Sequence, residues 1–240
     1  MSRGSSAGAQ LALNLRLRDA SSFENFLVAR NREPFERAQT SIAQLATTRS
    51  TSAQWLYLWG EGGCGKTHLL EAACRAAQAQ GQTALYIPLG EKTTLSPALL
   101  EDVEQSALVC VDDVQAIAAD AAWEAALFAL YERLRVQGGL LMLAAQSSPA
   151  SSGLKLADLA TRLSAGLVYQ LQALSDPEKI SALRLRAQRR GLTMTEEVAN
   201  YLLTRFPRDT HSLFALLDRL GVATLAAQRR LTIPFLRSLE

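Results

Sequence analysis

Eight consecutive residues, Gly60-Glu61-Gly62-Gly63-Cys64-Gly65-Lys66-Thr67, constrain the fold of this 240-residue chain more than any other stretch. They satisfy the pattern G-x-x-x-x-G-K-[ST], in which glycines let the backbone wrap a phosphate with its N–H groups turned inward. The lysine then meets the β/γ oxygens, and the threonine hydroxyl serves as a magnesium ligand. The flanks suit that use. Before the motif, WLYLWG at 55–60 is an apolar run stopped by glycine, which predicts a strand. After it, Leu69, Leu70, Ala73 and Cys74 recur at helical spacing from about Lys66 to Gln80. A helix starting there adds its positive end to the anion site. Candidate nucleotide-binding residues are therefore Gly60, Gly62, Gly63, Cys64, Gly65, Lys66 and Thr67, with His68 directly after them. Lysine is scarce, since 21 of the 25 basic residues are arginine, so Lys66 in this motif is a poor candidate for chance.

About 45 residues downstream, Leu108-Val109-Cys110-Val111-Asp112-Asp113 is an apolar strand ending in two carboxylates. Acids often follow strands in turns, but behind a phosphate loop this pair has a chemical use. Asp112 would hold Mg²⁺ and Asp113 would polarise an attacking water. Further strands are predicted at 83–89, 139–146 and 166–171, with a short helical stretch between the strands at 83–89 and 107–113. A helix over AAWEAALFALYERL places Trp123, Leu127, Leu130, Tyr131 and Leu134 on one stripe. Apolar strands alternating with helices predict an α/β fold, a parallel sheet covered on both faces. From LSDPEK at 174–179 onward the pattern is purely helical. The expected organisation is a flexible segment at 1–19, an αβα nucleotide-binding domain at 20–173 and a helical domain at 174–240.

The remaining composition narrows the function classes. A formal charge of +2 argues against bulk electrostatic binding to nucleic acid or membrane. Three cysteines, Cys64, Cys74 and Cys110, form neither a disulfide framework nor a metal-ligand spacing and suit a reducing compartment. Two histidines leave little material for a metal site or a Ser–His–Asp triad. The first ten residues lack the apolar region of a signal peptide, and no apolar run approaches the roughly 18 residues of a membrane span. A cytoplasmic protein is expected.

The order of segments resembles the AAA+ P-loop ATPases, and within them the DnaA–Hda family. SFENF at 22–26 is similar to the entry motif beside the adenine, WLYLWGEGGCGKTHLLEAAC to the phosphate-loop strand and helix, and ALVCVDDVQAIAAD to the Walker B segment. DLATRL is similar to the motif that carries an arginine finger, and LTIPFLRSL to the family's closing segment. The resemblance implies an AAA+ core with a small C-terminal helical lid, binding ADP or ATP with Mg²⁺. Arg162 would be a finger supplied in trans, and Asp113 the hydrolytic acid. The small polar sensor expected at the end of strand 139–146 falls on Gln146. The lid's sensor arginine is replaced by His211, with Arg208 three residues earlier as the alternative. Gln10, Leu11, Leu13 and Leu15 resemble the peptide that docks on the DNA polymerase sliding clamp (its β subunit), although alternating leucines also suit an edge strand of the domain's own sheet.

The resemblance thus implies a negative regulator of replication initiation, tethered to the clamp, that makes the initiator DnaA hydrolyse its ATP. Weak or no ATPase activity of its own is expected, with a homo-oligomer open. Without a helix-turn-helix after residue 240, sequence-specific DNA reading is not expected. Two rival readings remain: an AAA+ ATPase acting as a helicase loader or DNA-remodelling factor, and a clamp adaptor with a vestigial pocket; separately, Cys64 inside the phosphate loop suggests oxidation-sensitive binding.

Overall fold

In the computed structural model, residues 21–47, 54–227 and 231–238 are described. Five strands, β1 (Gln54–Trp59), β2 (Ala84–Pro88), β3 (Leu108–Asp112), β4 (Leu140–Ala145) and β5 (Leu167–Gln170), form one parallel sheet in the order β2-β3-β4-β1-β5. Every residue of β3 and β4 is buried, as continuous apolar runs in a doubly covered sheet require, while edge strands β2 and β5 are only partly buried. Strand alternation feeds two cores. Tyr57, Val109, Val111, Leu141 and Leu143 face one side with Trp123, Leu127, Leu130 and Leu134 of α3 (Ala121–Gln137). Leu56, Leu58, Cys110, Met142 and Ala144 face the other, against Leu69, Leu70 and Ala73 of α2 (Lys66–Ala79) and Ile42 of α1 (Arg32–Thr47). The predicted stripes on α2 and α3 are thus the buried ones.

One expectation is corrected. The stretch between β2 and β3 forms three short 3₁₀ turns, Leu89–Thr94, Pro97–Leu100 and Val103–Gln105, in place of a helix. Pro97 follows an N-capping Ser96, and Asp102 sits in the left-handed region at φ 60°, so no longer run of i→i−4 bonds is completed there.

Beyond β5 the chain runs through α5 (Asp176–Arg189), α6 (Glu196–Arg205), α7 (Thr210–Ala227) and α8 (Ile233–Arg237). Ser175 and Glu178 form a reciprocal capping box at the start of α5, with Pro177 in its first turn. These helices share a third core of their own, built on Leu183, Val198, Leu202, Leu213, Leu217 and Phe235. Polar contacts pin the segment that leads from β5 to α5, and two of them, Arg30–Glu178 and Arg189–Glu24, join the helical unit itself to the sheet domain. The Asn31 side chain bonds both backbone groups of Gln172 (3.0 and 2.7 Å), Arg30 reaches the Ala173 carbonyl (2.7 Å) and Glu178 (3.3 Å), and Arg189 donates to the Glu24 carbonyl (3.3 Å). Among the described residues, no helix is long and apolar enough to cross a membrane.

Candidate nucleotide site

The phosphate loop leaves β1 at the carboxyl edge of the sheet and feeds directly into α2. Gly65, the residue before that helix, has φ 102°, and a Cβ there would stand 2.7 Å from the Phe26 ring. Only glycine fits both the dihedral and the space. The Lys66 ammonium donates to the carbonyls of Gly60 (2.7 Å) and Glu61 (2.9 Å) and lies 3.6 Å from the Cys64 sulfur. Thr67 donates its hydroxyl to Asp112 at 2.6 Å, so the two expected magnesium ligands, 45 residues apart, are in contact. The same Asp112 oxygen accepts from Tyr86 (2.8 Å). Burial raises the Asp112 pKa, and the hydroxyls of Thr67 and Tyr86 pull against it. A divalent cation would restore the charge that burial penalises.

Asp113 follows in the left-handed region at φ 56° and accepts from the Gln115 side chain (2.9 Å). Gln115 in turn accepts from the Gln146 backbone N–H (3.0 Å), and Gln146 itself is exposed at the tip of β4. Since β4 lies between β3 and β1, the structure brings Asp113 and Gln146 to one edge through Gln115. His68 also lines the cleft beside the loop, with its ring held against the entry segment. Its Nε2 lies 2.8 Å from the Ser22 carbonyl, and its ring meets Phe26 edge-on at 5.3 Å. Burial pushes its pKa down to about 4, with the Arg186 charge adding to the effect.

These elements border a cleft of about 810 Å³ between the sheet domain and the C-terminal helices, a size suited to a nucleotide. Gly63 to Thr67 line one end, where Thr210 approaches Gly63 closely enough that an added Cβ would meet its hydroxyl at 3.4 Å. His211 lines the cleft. Arg208 does not; its side chain is 62% exposed and points to Asp176 at 3.4 Å. A glycine cradle, a cation, a hydroxyl and a carboxylate converging here fit a nucleoside phosphate with Mg²⁺.

Arg162 lies elsewhere. It occupies the last turn of α4 (Ala157–Ser164), half-exposed, with Nε 3.7 Å from Glu132 of α3, and is not among the cleft residues. Its helix is anchored firmly. Glu124 of α3, buried to 1%, accepts the backbone N–H groups of Ala119 (2.7 Å), Lys155 (2.9 Å) and Leu156 (2.6 Å), the last being the N-cap of α4. The leucine peptide, Gln10, Leu11, Leu13 and Leu15, lies outside the described residues.

Sequence reasoning missed Tyr86, Gln115 and Glu124, and on the cleft's far wall Arg186, Phe214 and Asp218. The last three left a faint signal. Arg186 interrupts the apolar pattern of α5, and Phe214 and Asp218 share a face of α7 at i,i+4.

Comparison with known proteins agrees with this geometry. The bacterial DnaA ATPase domain matches residues 17–170, and the lid domain of Hda matches 176–239. An uncharacterised protein of Haemophilus influenzae is 40% identical over 235 residues, 96% of this chain and 97% of that protein. Among solved structures, a replication initiator DnaA bound to AMPPCP and single-stranded DNA matches with a TM-score of 0.68 at 21% identity. That match covers 85% of this chain, which spans 66% of the initiator's length. Domain III of the Thermotoga maritima DnaA matches with a TM-score of 0.69 at 18% identity, over 90% of this chain and 94% of that one.

Proposed function

The chain belongs to the DnaA-related AAA+ family, an ATPase domain of the bacterial DnaA type followed by an Hda-type lid, and on that premise we propose that it acts on the initiator itself. In this reading it binds an adenine nucleotide with Mg²⁺ between the core (20–173) and the lid (174–240). It is held at the sliding clamp by the peptide containing Gln10, Leu11, Leu13 and Leu15. It stimulates ATP hydrolysis by DnaA and so restrains replication initiation.

The observation that carries this reading is the separation of Arg162 from the chain's own cleft. A half-exposed guanidinium on an anchored helix, near one carboxylate at 3.7 Å, is able to reach a second molecule's nucleotide. There it would offset charge developing on the γ-phosphate, an effect on the order of 10³–10⁵ in rate in other systems. Within the chain's own site, Lys66 and the loop amides would hold the phosphates, Thr67 and Asp112 the metal, and Asp113 with Gln146 would face the terminal phosphate. The presence of that full set favours a second reading, a DnaA-like ATPase that loads a helicase or remodels DNA.

The test mixes the protein with ATP-loaded initiator and DNA-loaded clamp and follows phosphate release for wild type, Arg162→Ala and Leu11→Ala/Leu13→Ala. Release that requires the protein and collapses in both variants is expected. Release unchanged in both, or hydrolysis stimulated by single-stranded DNA without initiator, would favour the second reading.

A further inference from the structure

The wall of the cleft opposite the phosphate loop carries a buried cation that none of the roles above uses. The side chain of Arg186, on α5, is only 10% exposed. Its guanidinium carbon lies 4.8 Å from the centre of the Phe214 ring, and Nη2 lies 3.4 Å from Asp218. Asp218 also pairs with Arg190, one turn further along α5. Phe214 and Asp218 are themselves one turn apart on α7, so that helix presents first an aromatic face and then a carboxylate. A long, flexible side chain is thereby held between an aromatic ring and a carboxylate. Taking a guanidinium out of water is costly unless it is paired. Here it is paired at the border of the cleft, on the same side of α5 as Ala182, while Leu183 and Ala187 turn to the lid core.

The position along the cleft says which part of a ligand this cation meets. The loop fixes the phosphates near Gly63 to Thr67, and Thr210, the first residue of α7, is the lid residue that approaches them. Phe214 stands four residues on, roughly 6 Å further along the helix axis, and Asp218 about 12 Å. That is the reach of a ribose and base attached to those phosphates. The core side of the cleft carries Asn25, Phe26 and Leu27 beside the loop, and among the described residues Lys66 is the core ammonium or guanidinium group that lines it.

We propose that Arg186 is a nucleotide-contact residue of the lid: held over the Phe214 ring and steadied by Asp218, its guanidinium packs on the base of the adenine nucleotide whose phosphates the loop holds. The proposal rests on the nucleotide-binding reading above and adds to it the group that recognises the base. Arginine suits this role because its planar head stacks on aromatic rings, as a lysine ammonium does not. Asp218 acts through Arg186 and is a positioning residue.

The test titrates the full chain with ADP and with ATP for wild type, Arg186→Ala, Arg186→Lys, Asp218→Asn and Lys66→Ala, and records the melting temperature of each ligand-free protein. Arg186→Ala is expected to weaken ADP and ATP by the same factor, on the order of tenfold. Arg186→Lys should recover little of that loss while melting close to the wild type, and Asp218→Asn should show a smaller loss. Full recovery with lysine would overturn the base contact, since charge alone would then suffice. A loss larger for ATP than for ADP would overturn it in favour of a phosphate contact. Binding that Lys66→Ala abolishes but the Arg186 variants leave unchanged would overturn this proposal alone. A wild type that binds neither nucleotide would overturn the underlying reading with it.

Discussion

The phosphate-loop edge of the sheet and the face that carries Arg162 are built in opposite ways. At the first, each functional group is held by its neighbours: Lys66 by two loop carbonyls, Thr67 and Tyr86 by one Asp112 oxygen, Asp113 by Gln115. At the second, the backbone is fixed and the side chain is not. Glu124 takes the amides that begin α4, yet Arg162 at its other end has one carboxylate at 3.7 Å and is half-exposed. A group that serves a ligand inside its own domain gains from being immobilised in advance. A group that must reach another molecule needs a rigid base and a free end. In the proposed function, this difference is what separates own-nucleotide binding from action on a partner.

The strongest way to break that comparison is to remove each region's cation in turn. Arg162→Ala should lower initiator hydrolysis in the phosphate-release assay by on the order of 10³ while leaving this chain's own ADP affinity within about twofold. Lys66→Ala should do the reverse locally, weakening ADP binding by roughly two orders of magnitude in an equilibrium titration. A parallel loss of both properties in either variant would mean the two regions are one site.

Acidity sharpens the contrast, because only the cleft side contains a buried histidine. His68 is held neutral, with a pKa near 4 against an ordinary value of 6.5. Between those values the unfolded chain takes up a proton that the folded chain refuses, so stability is complete above about pH 6.5 and falls as pH drops toward 4. Urea unfolding at pH 7 and pH 4.5 should differ by about 2 kcal/mol from this residue, and His68→Gln should flatten that slope. On the other side, Glu124→Gln places an amide donor against backbone donors and should cost about 2 kcal/mol by the same measurement. It should also reduce initiator hydrolysis more than it reduces ADP binding. The smallest effect is expected for Tyr86→Phe, about 1 kcal/mol, with a weaker Mg²⁺ dependence of nucleotide binding as its specific sign.

What could be read from the sequence was whatever a short stretch decides. The strand runs appear within a residue or two of their predicted ends because an apolar run must be buried wherever it pairs. The phosphate loop and the Asp112–Asp113 pair are local too, and a strand–loop–helix context is enough to orient them. The stretch at 89–105 was read as one short helical run, but Pro97 and a left-handed Asp102 divide it into three 3₁₀ turns that depend on local dihedrals. The far wall of the cleft was hidden for a different reason. Arg186 and Asp218 are 32 residues apart, and an arginine on an amphipathic helix reads as a solvated face until the partner helix is known. Glu124 was hidden in the same way, as a first-turn helix acid whose burial depends on the chain folding over it. The roles given to Arg208 and Gln146 rest on resemblance, and Arg208 stands outside the cleft lining.

Among the described residues, the lid's core shares none with the two cores that flank the sheet, and the Arg30–Glu178 and Arg189–Glu24 contacts between the two parts are polar. Cooperativity between the halves therefore depends on those polar clips and on whatever fills the cleft. Heated without ligand, the two halves should melt as two overlapping transitions in calorimetry, the smaller helical one first. A nucleotide touching both walls couples them, so that its addition should merge the transitions as well as raise them.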